Sequence, residues 1–134
     1  MSEPAFLTLE EVLRIHARSL AEHGGTEGLR DPGLLDSALA AARNTFLYGG
    51  GDIFDVAATY AFHLAEAQAF LDGNKRTAIA AALVFLARNG AYVTPPTQRF
   101  YQAMIDIAEK RISKSDLASL FREMPGGLTD HTQG

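Results

Sequence analysis

The chain has 134 residues, 47% of them hydrophobic and 21% charged, the usage of a globular protein with one core. With no cysteine and a formal charge of −4, it excludes a disulfide scaffold and thiolate chemistry, and argues against a broadly electrostatic nucleic-acid binder. The opening "MSEPAFLTLEEV" has acids where a secretory leader has cations, and the apolar run 77–87 is too short to cross a bilayer. The expectation is a cytoplasmic protein with no membrane and no direct nucleic-acid partner.

"TLEE" at 8–11 reads as a capping box, Thr8 capping a helix and Glu11 reaching back to it. Leu9, Val12, Leu13, Ile15 and Leu20 carry that first helix until "HGG" at 23–25 stops it. A second helix starts at Asp31 as N-cap with Pro32 at its first position. After a glycine turn at 47–52, a third helix from Ile53 places Val56, Ala57, Tyr60, Ala61, Leu64 and Ala65 on one buried stripe. Residues 77–88 form a fourth helix, apolar nearly all round and so expected at the centre of the bundle. "RNG" at 88–90 ends it, and "AYVTPPT" allows at most one short strand. A fifth helix is expected over about 98–110 and a sixth from Ser113, with Asp116 completing its cap. After Met124 the sequence offers little to bury, so residues 1–124 read as one domain and 125–134 as a flexible tail. The fold class is all-α: a compact six-helix bundle around a central apolar helix.

The turn "FLDGNKRT" at 70–77 raises a physical conflict. Lys75 and Arg76 stand in a first helical turn, where cations oppose the macrodipole. An anion at that point would resolve it, held by the backbone N–H groups of 73–77 and the two side chains. Gly73 would let the backbone approach, and a divalent cation between Asp72 and phosphate oxygens would explain a carboxylate beside an anion. The competing reading is a solvated polar turn, since Asp-Gly-Asn is ordinary turn chemistry.

"FLDGNKRTAIAAALVFLARNG" resembles the signature of the Doc (death-on-curing) branch of the Fic, or Fido, family, in the form His-x-Phe-x-Asp/Glu-x-Asn-Lys-Arg before an apolar helix. Phe70, Asp72, Asn74, Lys75 and Arg76 match it position by position, and the likeness extends from Leu7 to Phe121. The resemblance implies the helical bundle of that family and transfer of a phosphoryl group from ATP to a hydroxyl of a protein target. It implies a bacterial toxin that inhibits translation through elongation factor Tu and is neutralised by a Phd-type antitoxin. By the same resemblance Asp72 would hold magnesium and Asn74 would orient phosphate or the target hydroxyl. Lys75 and Arg76 would balance charge on the transferred group, Gly73 and Thr77 would complete the phosphate site, and Phe70 would anchor the hinge. Ile79 stands where an AMP-transferring Fic protein carries a second arginine, which favours the Doc branch over that alternative.

The chain departs from the motif at Gln68, where the family places the histidine that takes the hydroxyl proton. An amide accepts no proton near neutral pH, and loss of a general base costs about 10²–10⁴ in rate. The sequence therefore reads as an impaired transferase, or as a non-catalytic module that binds nucleotide or antitoxin. His63 lies about 140° round the helix from Gln68 and should face elsewhere. His16 reads as a structural histidine, and Arg18 and Arg30 as solvated charges.

Overall fold

A computed structural model of the chain describes residues 3–93, 102, 106, 109–123 and 126–128. Among them are five helices: α1 (Leu9–His23), α2 (Pro32–Leu47), α3 (Ile53–Ala67), α4 (Asn74–Arg88) and α5 (Lys114–Glu123). A two-stranded antiparallel sheet joins β1 (Ala91–Val93) to β2 (Gly126–Leu128), with Tyr92 opposite Gly127. The all-α class holds, and the first four helices start and stop close to where the sequence signals place them. Of the expected helix over 98–110, Gln102, Asp106, Glu109 and Lys110 lie among the described residues; the first two are helical and the last two form a turn. Three residues of the expected tail form β2, and the others of that stretch fall outside the described residues.

Local chemistry explains the starts. Thr8 accepts from the Glu11 N–H at 3.2 Å while Glu11 accepts from the Thr8 N–H at 2.8 Å, which closes the capping box of α1. The Asp31 carboxylate takes the N–H groups of Gly33 and Leu34 at 3.0 and 3.3 Å, and Pro32 needs no partner there. At α3 the Asp52 carboxylate takes Phe54 and Asp55 at 3.0 and 2.9 Å.

The core differs from the sequence reading in one respect. Among the described residues α3, rather than α4, is the helix that packs against three others: α2, α4 and α5. Its alanines, Ala57, Ala58, Ala61 and Ala65, bring neighbouring backbones close, and eight of its residues are buried. α4 packs on α3, α1 and β1 but leaves Val84 exposed, because an apolar composition does not fix how many neighbours a helix acquires. Leu35, Val56, Tyr60, Phe85, Leu86, Leu117 and Phe121 fill the interior, each aliphatic or aromatic chain worth about 1.5–3 kcal/mol when fully buried. The buried Tyr60 hydroxyl accepts from the Leu7 N–H at 3.0 Å, pinning the segment before α1 onto α3. The α3–α4 turn thereby sits on a rigid pair of helices, with α1 beside it.

Candidate active site

The turn is set by what happens after Ala67. Gln68 adopts φ 50°, ψ 46°, the left-handed conformation that ends a helix and that a non-glycine residue enters at a cost. The chain then runs antiparallel to residues 28–30. Leu29 bridges Phe70, the Arg30 and Asp31 N–H groups reach the Ala69 carbonyl at 2.6 and 3.0 Å, and the Leu71 N–H reaches Gly28 O at 3.0 Å. The Arg30 guanidinium donates through Nη2 to the Gln68 carbonyl at 2.6 Å. Arg30 is thus a tether, contrary to its expected role as a solvated charge.

Phe70 is buried and anchors the hinge as expected, its ring stacked 3.7 Å from that of His16 at an angle of 9°. His16 is buried too, and its Nε2 lies 2.8 Å from the Asp72 carbonyl oxygen. A carbonyl only accepts, so Nε2 carries the proton. The Asn74 side chain turns back on Phe70, its Oδ1 accepting from the Phe70 N–H and its Nδ2 donating to the Phe70 carbonyl, both at 3.0 Å. One amide hydrogen of Asn74 remains for a ligand.

Asp72 is exposed, and its two oxygens accept from different neighbours: Oδ2 from the Thr26 N–H at 3.1 Å and Oδ1 from the Gly73 N–H at 2.9 Å. Those N–H groups, Thr26 first and then Gly73, with the Arg76 charge beyond them, hold its carboxyl below the usual carboxylate range. Gly25, at φ 128°, gives this carboxylate room, since a Cβ there would lie 2.9 Å from Oδ2.

Gly73, at φ 76°, is the N-cap of α4 and supplies no side-chain acceptor. The N–H groups of Asn74, Lys75 and Arg76 are therefore left without an intrahelical partner at the positive end of the dipole. The Thr77 N–H donates to Gly73 O at 3.0 Å, and the Gly73 N–H is held by Asp72, so the expected cage of five N–H groups narrows to three. Thr77 is buried, and its hydroxyl has no hydrogen-bond partner among the described residues, so it does not form part of an open phosphate surface. Lys75 and Arg76 are exposed, and neither forms a hydrogen bond or ion pair among the described residues. Gln68 presents an exposed side chain that is equally unengaged. His63 faces away, within 3.0 Å of Lys114 Nζ on α5.

The chain matches the Fic/DOC family model over residues 6–86. The chain belongs to the Fic/DOC family. Its relatives place it in the Doc branch. It is 33% identical to "Protein kinase doc" of Escherichia phage P1 over 118 residues, 87% of this chain and 93% of that protein. It is 38% identical to "Toxin Doc" of Mycolicibacterium smegmatis over 126 residues, 90% of this chain and 92% of that one.

In this Doc-branch chain the metal question has a definite shape. No group of three or more His, Cys, Asp or Glu among the described residues is placed to hold an ion. Asp72 offers one exposed, ionised carboxylate beside an uncapped helix start, which fits a magnesium ion that takes one protein ligand and completes its shell from phosphates and water. No helix among the described residues is long and apolar enough to cross a membrane. Sequence reasoning missed the Arg30 and His16 contacts because each joins segments distant in sequence, 38 and 56 residues apart. The only local hint was an arginine set directly before a helix cap.

Proposed function

We propose that this chain is the toxin of a bacterial toxin–antitoxin pair. Its reaction is Doc-type phosphoryl transfer from ATP to a hydroxyl of a protein target, elongation factor Tu by resemblance, with turnover strongly impaired by Gln68. A Phd-type antitoxin is its expected partner, and arrest of translation its expected outcome. The observation that carries the reading is the uncapped start of α4, where three N–H groups and two cations, all without a partner among the described residues, meet an ionised Asp72.

The residues divide the work as phosphoryl transfer requires. The N–H groups of Asn74, Lys75 and Arg76 bind the phosphate oxygens, and the Lys75 and Arg76 side chains stabilise charge that builds on them in the transition state. Asn74 locks the loop through Phe70 and keeps one N–H for a phosphate oxygen. Asp72 is the ligand for magnesium, which when bound withdraws charge from the phosphate oxygens. The cavity of about 420 Å³ between α1 and the 25–29 loop, lined by Leu13, Leu20, Leu29 and Phe70 together with His16 and Glu27, is the adjoining space for the nucleotide base. The target hydroxyl oxygen bonds to the γ-phosphorus as the bond to ADP breaks. Its proton passes to solvent in this chain, because Gln68 cannot take it, His16 is engaged by the Asp72 carbonyl and His63 faces away toward Lys114.

Gln68→His tests this reading. The variant should slow bacterial growth on induction and label elongation factor Tu from γ-labelled ATP at least 10²-fold faster than the native chain. Unaffected growth with no labelling would overturn the toxin reading. The second reading, a non-catalytic binding module, is favoured by the missing base alone. It predicts ATP–magnesium binding in calorimetry that Arg76→Ala abolishes, with no labelling even after Gln68→His.

A further inference from the structure

We propose that Arg30 is the positioning residue for position 68: from outside the motif, it holds the place of the proton acceptor in its working backbone conformation. The inference deepens the proposed transferase reading, and its kinetic arm rests on it.

The helices end in two ways. α1 has His23, α4 has Arg88 and α5 has Arg122 in the last turn, each a basic group near carbonyls that lack helical partners, whereas α2 and α3 have none. The last turn of α3 has no basic residue, and exposed Glu66 lies there instead, the wrong charge for the negative end of the dipole. Its terminating residue is glutamine rather than the glycine or asparagine that enters the left-handed region readily. The Arg30 guanidinium supplies from across the turn what the helix lacks, a cation and a charge-assisted bond to the Gln68 carbonyl at 2.6 Å.

The geometry makes this bond separable from the fold. The peptide after Ala69 is held by the Arg30 and Asp31 N–H groups on the Ala69 carbonyl, and these are backbone bonds that any residue but proline at 30 preserves. Among the described residues only the guanidinium bonds the carbonyl of residue 68 itself, and so steadies the backbone from which its side chain projects. Releasing that carbonyl allows the 68–69 peptide to rotate and residue 68 to relax toward negative φ. A side chain that must meet a reacting hydroxyl tolerates little displacement, since a misplacement of about 1 Å costs on the order of 10²-fold in rate.

The test has two arms. In the first, Cα and Cβ chemical shifts of residue 68 are measured by NMR in the native chain, Arg30→Ala and Arg30→Lys. The left-handed signature should be present in the native chain, lost in Arg30→Ala and restored in Arg30→Lys, while the N–H groups of residues 30 and 31 stay protected from exchange. An unchanged residue 68 in Arg30→Ala overturns the proposal, whatever the chain's activity. In the second arm, Arg30→Ala is added to Gln68→His. It should lower kcat by at least about tenfold with KM within about twofold, and Arg30→Lys should recover most of the loss. An undiminished kcat, or a loss confined to KM, overturns the proposal. If Gln68→His alone labels no target, the transferase reading fails, and the NMR arm decides the role of Arg30 by itself.

Discussion

The first turns of α3 and α4 face the same electrostatic problem and solve it in opposite ways. At α3, Asp52 caps two N–H groups, Asp55 returns a bond to the Asp52 N–H at 3.0 Å, and Arg122 of α5 closes on both carboxylates at 2.9 and 3.1 Å. Two of the three N–H groups open at that end and both carboxylates are satisfied within the protein, and negative charge sits at the positive end of the dipole. At α4 a glycine replaces the capping side chain, three N–H groups have no partner among the described residues, and the first turn carries two cations. One start serves stability, and the other leaves its binding capacity for a ligand. A helix end that opposes its own dipole is a functional signal when its neighbours in the same fold are capped with care.

The largest expected effect comes from breaking the well-made end. Asp52→Ala removes the cap, worth about 1–2 kcal/mol, and an ion pair to Arg122 of the half-exposed kind, worth about 0–1 kcal/mol. A total of about 2 kcal/mol should lower Tm by roughly 6–8 °C, read by calorimetry or circular dichroism. Arg122→Ala should cost less than half as much, because the cap survives. Equal losses in the two variants would mean that the ion pair, rather than the cap, carries this end.

Both capped ends should also show in acid. Arg88, donating to Glu11 at 2.8 Å, is the main cause that lowers the Glu11 carboxyl from 4.5 to about 2, helped by the Thr8 N–H within the cap. For Asp52, burial acts to raise the pKa but is outweighed by the Asp55 N–H and by Arg122, so its carboxyl also lies below 3.8. A carboxylate with a depressed folded pKa binds fewer protons folded than unfolded, so its stabilisation is complete above the unfolded value and is lost as pH falls through the folded one. The Glu11 contribution should therefore be full above about pH 4.5 and disappear toward about pH 2. Partly exposed pairs of this kind deliver about 1 kcal/mol. Chemical denaturation between pH 6 and 2.5 should show that loss, and Arg88→Ala should flatten it; an equally steep profile in the variant would assign the acid sensitivity elsewhere.

The two ends were not equally legible in the sequence. The starts of α1 and α2 follow from residues within four positions of each other, Thr8 with Glu11 and Asp31 with Pro32, so local chemistry sufficed. The α4 start was legible as a conflict, cations where anions belong, and the family resemblance named its motif positions. Its interior wiring was not legible. That Asn74 folds back on Phe70, that Thr77 is buried, and that Gln68 turns left-handed under Arg30 are consequences of packing among α1, the 25–31 segment and α3. The pairing of β1 with β2, 33 or more residues away, and the central place of α3 are long-range results of the same kind. Periodicity marks which face of a helix is apolar and says nothing of how many partners will cover it.

The smallest expected change in stability is the one that sharpens the contrast most. Lys75→Ala with Arg76→Ala removes two exposed cations that form no bond within the described protein and oppose the dipole of α4. Each unfavourable charge at a helix end costs about 0.3–1 kcal/mol, so the double variant should be as stable as the native chain or more stable by up to about 1 kcal/mol. Its affinity for ATP–magnesium, measured by calorimetry, should fall at least tenfold, since the site then loses both of its cationic side chains. A cation pair that helped the fold would give the reverse pattern, with a lower Tm and unchanged binding, and the opposition between the two helix starts would then be a difference in turn chemistry alone.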